Sequence, residues 1–157
     1  MSGNGVKKRV VMARTLLARL QQRGIPLLSF VVFGSTARGK LKQDSDVDVL
    51  IIVKQKNKRI WRAIVEESAA IEDLSPPLFS LIYTTEEKLR EDPLILLDMT
   101  KESIILFDPQ GIFQRLIAEF KEVLKNLGAR RRWLDENTWY WDLKPDWKPG
   151  ESVEIKI

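Results

Sequence analysis

The sequence contains no cysteine and no histidine. The first absence excludes a disulfide framework and any thiolate metal centre. The second removes the usual zinc ligand, the usual general base and the Ser-His hydrolytic pair. Metal chemistry in this chain therefore has to use oxygen ligands, which favours Mg2+, Mn2+ or Ca2+. No run reaches the roughly 18 apolar residues of a membrane span. The N-terminal stretch lacks the apolar segment of a signal peptide, so the cytoplasm is the expected compartment and no membrane contact is expected. Neither sign of charge dominates: 26 Lys and Arg stand against 22 Asp and Glu, a net charge of +4. That balance suits a small polyanionic ligand such as a nucleotide, and by itself does not mark nucleic acid as the primary partner.

What is present suffices for one domain with its own core: 157 residues, 44% of them hydrophobic. After a small polar start at residues 1–5, apolar residues at helical spacing (Val10, Leu16, Leu17, Leu20) predict a helix over 6–23, stopped by Gly24. Leu27 to Phe33 reads as a buried strand and Asp46 to Val53 as a second. A helix is predicted over 58–73, with Trp61 in the core, then a break at Ser75-Pro76-Pro77 and a third strand over 78–83. Asp92-Pro93 opens a helix to about Lys101. A short strand follows over 103–107, then a helix capped by Asp108 and begun by Pro109 that runs to Leu127. Helix and strand patterns alternate, so the fold class is α/β (α+β). The stretch between Phe33 and Asp46 is too short for a crossover helix. The first two strands are therefore predicted antiparallel and the sheet mixed.

Chemistry concentrates in residues 33–51, FGSTARGKLKQDSDVDVLI. A glycine at a strand end lets the chain turn sharply and lets a ligand reach the backbone. The amides after Gly34 and Ser35 can receive phosphate oxygens, with Arg38 and Lys40 just beyond to neutralise charge. Taken alone, such a pair is most often a plain turn. Asp46 and Asp48, at i and i+2, face one way from a strand, about 6–7 Å apart. They repel each other at the mouth of an apolar strand unless a cation or a basic side chain sits near them. Asp44, before the strand, reads as a turn residue. Together, a phosphate-binding turn and a metal-binding acid pair are the equipment of nucleotidyl transfer.

The pattern Gly34-Ser35, Ala37-Arg38-Gly39, then Asp46-x-Asp48 resembles the signature of the DNA polymerase beta-type nucleotidyltransferase superfamily, in its minimal (MNT) branch. Element order extends the resemblance from about residue 8 to 108, with a vaguer likeness of the tail to archaeal-type relatives. The resemblance implies a mixed, twisted sheet flanked by helices. It implies a nucleoside triphosphate, with ATP the first choice, and Mg2+ (Mn2+ as a substitute) as cofactor. Gly34, Ser35 and Arg38 would hold phosphates, and Asp46 and Asp48 the metal. It further implies transfer of AMP to a hydroxyl on a protein, with a HEPN-type partner and an antitoxin role; self-association stays open.

One departure bears on catalysis. Active members usually carry a third carboxylate on a later strand, and here Ser80 stands where it is expected. Serine is a poor magnesium ligand and no base near neutral pH. Glu72, Asp73, Glu86 and Glu87 flank that strand only at its ends. The alternative to an enzyme is thus a nucleotide-binding or partner-binding module. The body is assigned to residues 1–128 and a Trp-rich C-terminal extension to 129–157. That extension holds four of the five tryptophans, which either cover the body, stack bases or meet a partner. Arg130–Arg132 directly follows a helix end, where cations suit the dipole; the Lys54–Arg59 cluster reads as a solvated turn, and Val153, Ile155 and Ile157 as a last edge strand.

Overall fold

The computed structural model describes residues 2–72 and 78–157. Helix α1 spans Ser2–Gln22, strand β1 Leu27–Phe33, the short helix α2 Gly34–Arg38 and strand β2 Val47–Val53. Helix α3 (Lys58–Glu72) leads to strand β3 (Phe79–Thr85) and helix α4 (Glu86–Glu91). A 3-10 helix at Pro93–Met99 precedes strand β4 (Ile104–Phe107), helix α5 (Ile112–Asn126), and strands β5 (Arg130–Trp133) and β6 (Trp139–Asp142). The main sheet has the order β3-β2-β1-β4, and β5 and β6 form a separate hairpin. β1 runs antiparallel to both β2 and β4, whereas β2 and β3 are parallel through the α3 crossover. This is the mixed sheet flanked by helices that the element spacing predicts.

Alternation along the central strands feeds two cores. Phe30, Val32, Val49, Ile51 and Val53 point to α1 and α3. Val31, Phe33, Leu50 and Ile52 point to α4, the 3-10 helix and α5. By the same alternation the acid positions 46 and 48 belong to the second face, at the end of the sheet where β1 finishes and β2 begins. That face is where the tail docks: Trp141, Leu143, Ile155 and Ile157 lie against its core.

Several expectations are corrected. Helical structure starts at Ser2, within the small polar start at residues 1–5 and ahead of the predicted helix over 6–23. The segment after Asp92 is a 3-10 helix and not an α-helix. Helix α5 begins at Ile112 and not at Pro109. Asp108 still caps it, from further back, since its Oδ1 and Oδ2 accept from the Phe113 and Gln114 N–H groups at 3.1 Å each. Trp61 is 43% exposed rather than core, and stacks on Tyr83 with ring centres 5.6 Å apart. Arg130–Arg132 follows the end of α5 and lies in strand β5. Val153 to Ile157 forms no strand; it runs irregularly and its last N–H donates to the Arg90 carbonyl at 3.2 Å. Asp44 does sit in a turn. The predicted break at Ser75-Pro76-Pro77, with Asp73, lies outside the described residues. Among those residues no helix is long and apolar enough to cross a membrane.

Asp108 ties the sheet to α5, because its Oδ1 also accepts from the Ser29 hydroxyl at 2.7 Å, and Ser29 is fully buried in β1. Replacing the acid orphans a buried hydroxyl and two helix-end amides at once. Asp108→Ala is expected to lower urea-unfolding stability by about 2–3 kcal/mol. Ser29→Ala is expected to relieve part of that loss, giving a coupling of roughly 1 kcal/mol in the double-mutant cycle.

Candidate nucleotide site

The chain reverses at Gly34, which adopts φ +65°, in the left-handed region where side chains are strained. Glycine is required there for a second reason. A Cβ at residue 34 would overlap the Asp48 Oδ2 and lie 2.9 Å from the Asp48 Cγ. The register explains the contact: Phe33 pairs with Asp48 across β1 and β2, so the next residue of β1 turns directly over the carboxylate. The two halves of the motif therefore touch. Gly39, at φ +68°, closes α2 with its N–H donating to the Thr36 carbonyl at 3.2 Å. Thr36 inside this turn is buried, with its hydroxyl lacking a partner.

The electrostatics around Asp48 are those of a carboxylate short of cations. Burial raises its pKa most; the charges of Asp46 and Asp98 push it the same way. A hydrogen bond from the Ser80 side chain and the charge of Arg38 act in the opposite sense. Ser80 is next to Asp48 in the parallel β2–β3 register, so it occupies the neighbouring-strand position where a third acid is expected. The flanking acids are engaged elsewhere. Glu72 accepts from the Phe79 N–H at 2.7 Å, and Glu86 pairs with Arg90 at 3.0 Å. Glu87 sits in the first turn of α4. Asp98, whose charge is felt at Asp48, comes from the 3-10 helix and has no sequence signal beyond being an acid in an apolar stretch.

A hollow of about 520 Å3 opens beside the turn. Ser35, Arg38, Lys40 and Lys42 line one part; Glu102, Arg131, Trp133 and Trp139 line another. Its described lining does not include Asp46 or Asp48. The link is the Gly34–Ser35 peptide, with Gly34 against Asp48 and Ser35 in the wall. The β5–β6 hairpin thus brings part of the tail to the motif. Arg131 lies 5.3 Å from the Trp133 ring centre and 4.9 Å from that of Trp139, and Lys40 is 5.6 Å from Trp133. Glu102 faces Arg131 at 3.5 Å through Oε1, while its Oε2 is buried without a partner. Sequence reading missed Glu102 and Arg131 as neighbours of the turn, because Arg131 arrives on the hairpin and Glu102 from the segment before β4.

The donor set can be tested for a metal. No group of three or more acidic, His or Cys side chains among the described residues could hold an ion unaided. Two crowded carboxylates beside a cationic hollow do fit one Mg2+, which ordinarily takes one or two carboxylates and completes its shell with water and substrate phosphate. They do not offer a ligand set for a second ion, since Ser80 stands in the third acid's position.

The chain belongs to the nucleotidyltransferase domain family, whose sequence profile matches residues 13–145. No curated protein sequence matches it. Among solved structures, the toxin–antitoxin MntA-HpeT in a mutant form is 13% identical, with a TM-score of 0.52 over 74% of this chain and 92% of that one. A toxin–antitoxin with AMP-PNP is 12% identical, with a TM-score of 0.50 over 74% and 92%. The tri-AMPylated Shewanella oneidensis HEPN toxin in complex with MNT antitoxin is 14% identical, at 0.44 over 76% and 98%. At these identities the likeness is one of fold.

Two variants test this geometry. Gly34→Ala is expected to cost at least about 1–2 kcal/mol in urea unfolding from its backbone conformation alone, with the overlap on Asp48 adding to it. Asp48→Asn should act in the opposite direction. A carboxyl whose folded-state pKa is raised loses stability for the protein as pH rises through that pKa, and protonation restores it. Removing the charge is therefore expected to raise the thermal midpoint at pH 7, by an amount that shrinks as the pH is lowered into the acid range.

Proposed function

We propose that this protein binds a nucleoside triphosphate, ATP in the first instance, together with Mg2+, and transfers its nucleotidyl group to a hydroxyl on a protein partner. A HEPN-type partner and an antitoxin role complete the reading, with the cytoplasm as the compartment. The observation that carries it is the close approach of Asp48 to Gly34, which sets the turn beside an acid that feels the charge of Asp46. Family membership supports the reaction class, and the toxin–antitoxin complex with AMP-PNP motivates ATP as the nucleotide to test first.

Each residue has a part. Gly34 leaves room for the Asp48 carboxylate against the turn, and the N–H groups of the Ser35 turn with the Ser35 hydroxyl receive phosphate oxygens. Arg38 balances charge on the triphosphate and, in its absence, on Asp48. Asp46 and Asp48 would hold Mg2+, or Mn2+ in its place, and the ion would supply polarisation of the α-phosphate and of the attacking hydroxyl. Trp133 and Trp139 offer ring faces for the base. In the transfer, the acceptor oxygen bonds to the α-phosphorus, pyrophosphate leaves, and the hydroxyl proton passes to water or to a carboxylate of the partner.

A second reading rests on Ser80 beside Asp48: a nucleotide-dependent binding module that keeps the fold and one metal without turnover. Incubation with α-labelled ATP, Mg2+ and a HEPN-type partner separates the two. Label on the partner, lost with Asp46→Asn, is the expected result. Retention of ATP without transfer establishes the binding module. In that case Ser80→Asp is expected to raise turnover by about two to four decades, the usual worth of a missing proton acceptor. Absence of any ATP retention contradicts both.

A further inference from the structure

Next to the nucleotide hollow lies a second and larger groove, of about 790 Å3, between the 3-10 helix end, α5 and the hairpin. Five cations line it, Lys101, Lys121, Lys125, Arg130 and Arg131, and no acid does. In a chain with nearly equal numbers of the two signs, such a one-sided wall concentrates positive potential. Among the described residues, only Arg131 of the five forms an ion pair, with Glu102. Lys121 and Lys125 stand one turn apart on α5 and are both exposed. Two indoles sit among the charges. Trp133 is 51% exposed, and Trp141 has its ring N–H buried without a hydrogen-bond partner. Arg131 and Trp133 line both hollows, so the groove runs into the one beside Ser35.

We infer that this groove binds a segment of single-stranded nucleic acid, a ligand outside the protein-acceptor reading above. Lys121 and Lys125 stand one helical turn apart, and the phosphates of a strand would neutralise the four cations of this wall that form no ion pair among the described residues. Trp133 is half-exposed beside Lys40 and Arg131, and stacking on an aromatic next to a cationic track is how single strands are held without sequence preference. A free phosphate would meet only part of this wall. An acidic peptide would satisfy the cations and leave the indole face unused. The continuity through Arg131 and Trp133 leads one end of the strand toward the nucleotide hollow.

The probe is a fluorescein-labelled oligouridylate RNA, followed by anisotropy with the intact chain and no ATP. The wild type is expected to bind, with affinity falling as salt rises. The double variant Lys121→Glu with Lys125→Glu is expected to weaken binding at least roughly tenfold and to reduce the salt slope by about two. Its unfolding midpoint and its retention of ATP should stay as in the wild type. Trp133→Ala is expected to weaken RNA binding as well, with the salt slope unchanged. The same charge change on the opposite face, Lys58→Glu with Arg62→Glu on α3, should cost less than twofold. Equal losses in both double variants overturn the proposal. So does displacement of the RNA by polyglutamate at matched charge, which would make the groove a site for an acidic protein segment. Failure of the wild type to bind the oligonucleotide overturns it outright.

Discussion

The carboxylate of Asp48 occupies the space that any side chain at residue 34 would fill, and much of this molecule follows from that contact. The β1–β2 pairing sets it, since Phe33 opposite Asp48 leaves residue 34 no route except a sharp turn across the acid. A left-handed backbone there excludes other residues at the same step. The cost is visible in Asp48 itself, held half-buried with Asp46 and Asp98 nearby and only Arg38 and Ser80 in its favour. A protein selected for stability alone would have little reason to keep such a cluster. A cation and a phosphate bound at that point would relieve it.

The fold supplies the rest of the site from a distance. Both central strands are packed on two faces, so the end of the sheet that carries the turn and the acids is held rigidly. Residues far along the chain then converge on it. The β5–β6 hairpin brings Arg131, Trp133 and Trp139 to a wall shared with Ser35 and Arg38. The tail anchors that hairpin from the inside through Trp141, Leu143, Ile155 and Ile157. The tryptophans therefore divide the work: Trp141 packs into the core, whereas Trp133 keeps half its surface exposed beside two cations.

The sheet and the motif were legible in the sequence for a physical reason. Buried central strands read as continuous apolar runs, and the short link between the first two forces them antiparallel. Two aspartates at the start of such a run point either to a cation or to basic side chains nearby, and the Gly34-Ser35 turn beside them favours a shared ligand. Ser80 was legible too, because the β2–β3 register follows from one crossover. The hairpin was not. Its turn has no glycine; Asp135 closes it by accepting from the Asn137 and Thr138 N–H groups at 2.8 Å each. Asp135 and Asn137 are ordinary turn residues, but the stretch around them is dominated by tryptophan and Lys-Pro steps and shows no strand alternation. The alternation of Val153, Ile155 and Ile157 misled because docking on a core needs apolar residues without needing a ladder. Trp61 misled in the same way: helical spacing places it near the core boundary, but a stacking partner on the edge strand holds it at the surface. Asp98, Glu102 and Arg131 carry no periodicity, and only the three-dimensional path brings them near the turn.

The central claim is that the turn and the acid pair act on one ligand. The most direct test is the affinity for Mg2+-ATP, by calorimetry, of the wild type, Ser35→Ala, Asp48→Asn and the double variant. If both residues serve a single bound triphosphate, the losses are non-additive, with the double variant little worse than Asp48→Asn alone and a coupling of about 1 kcal/mol or more. Losses that simply add, or ATP binding that ignores both substitutions, would contradict the account.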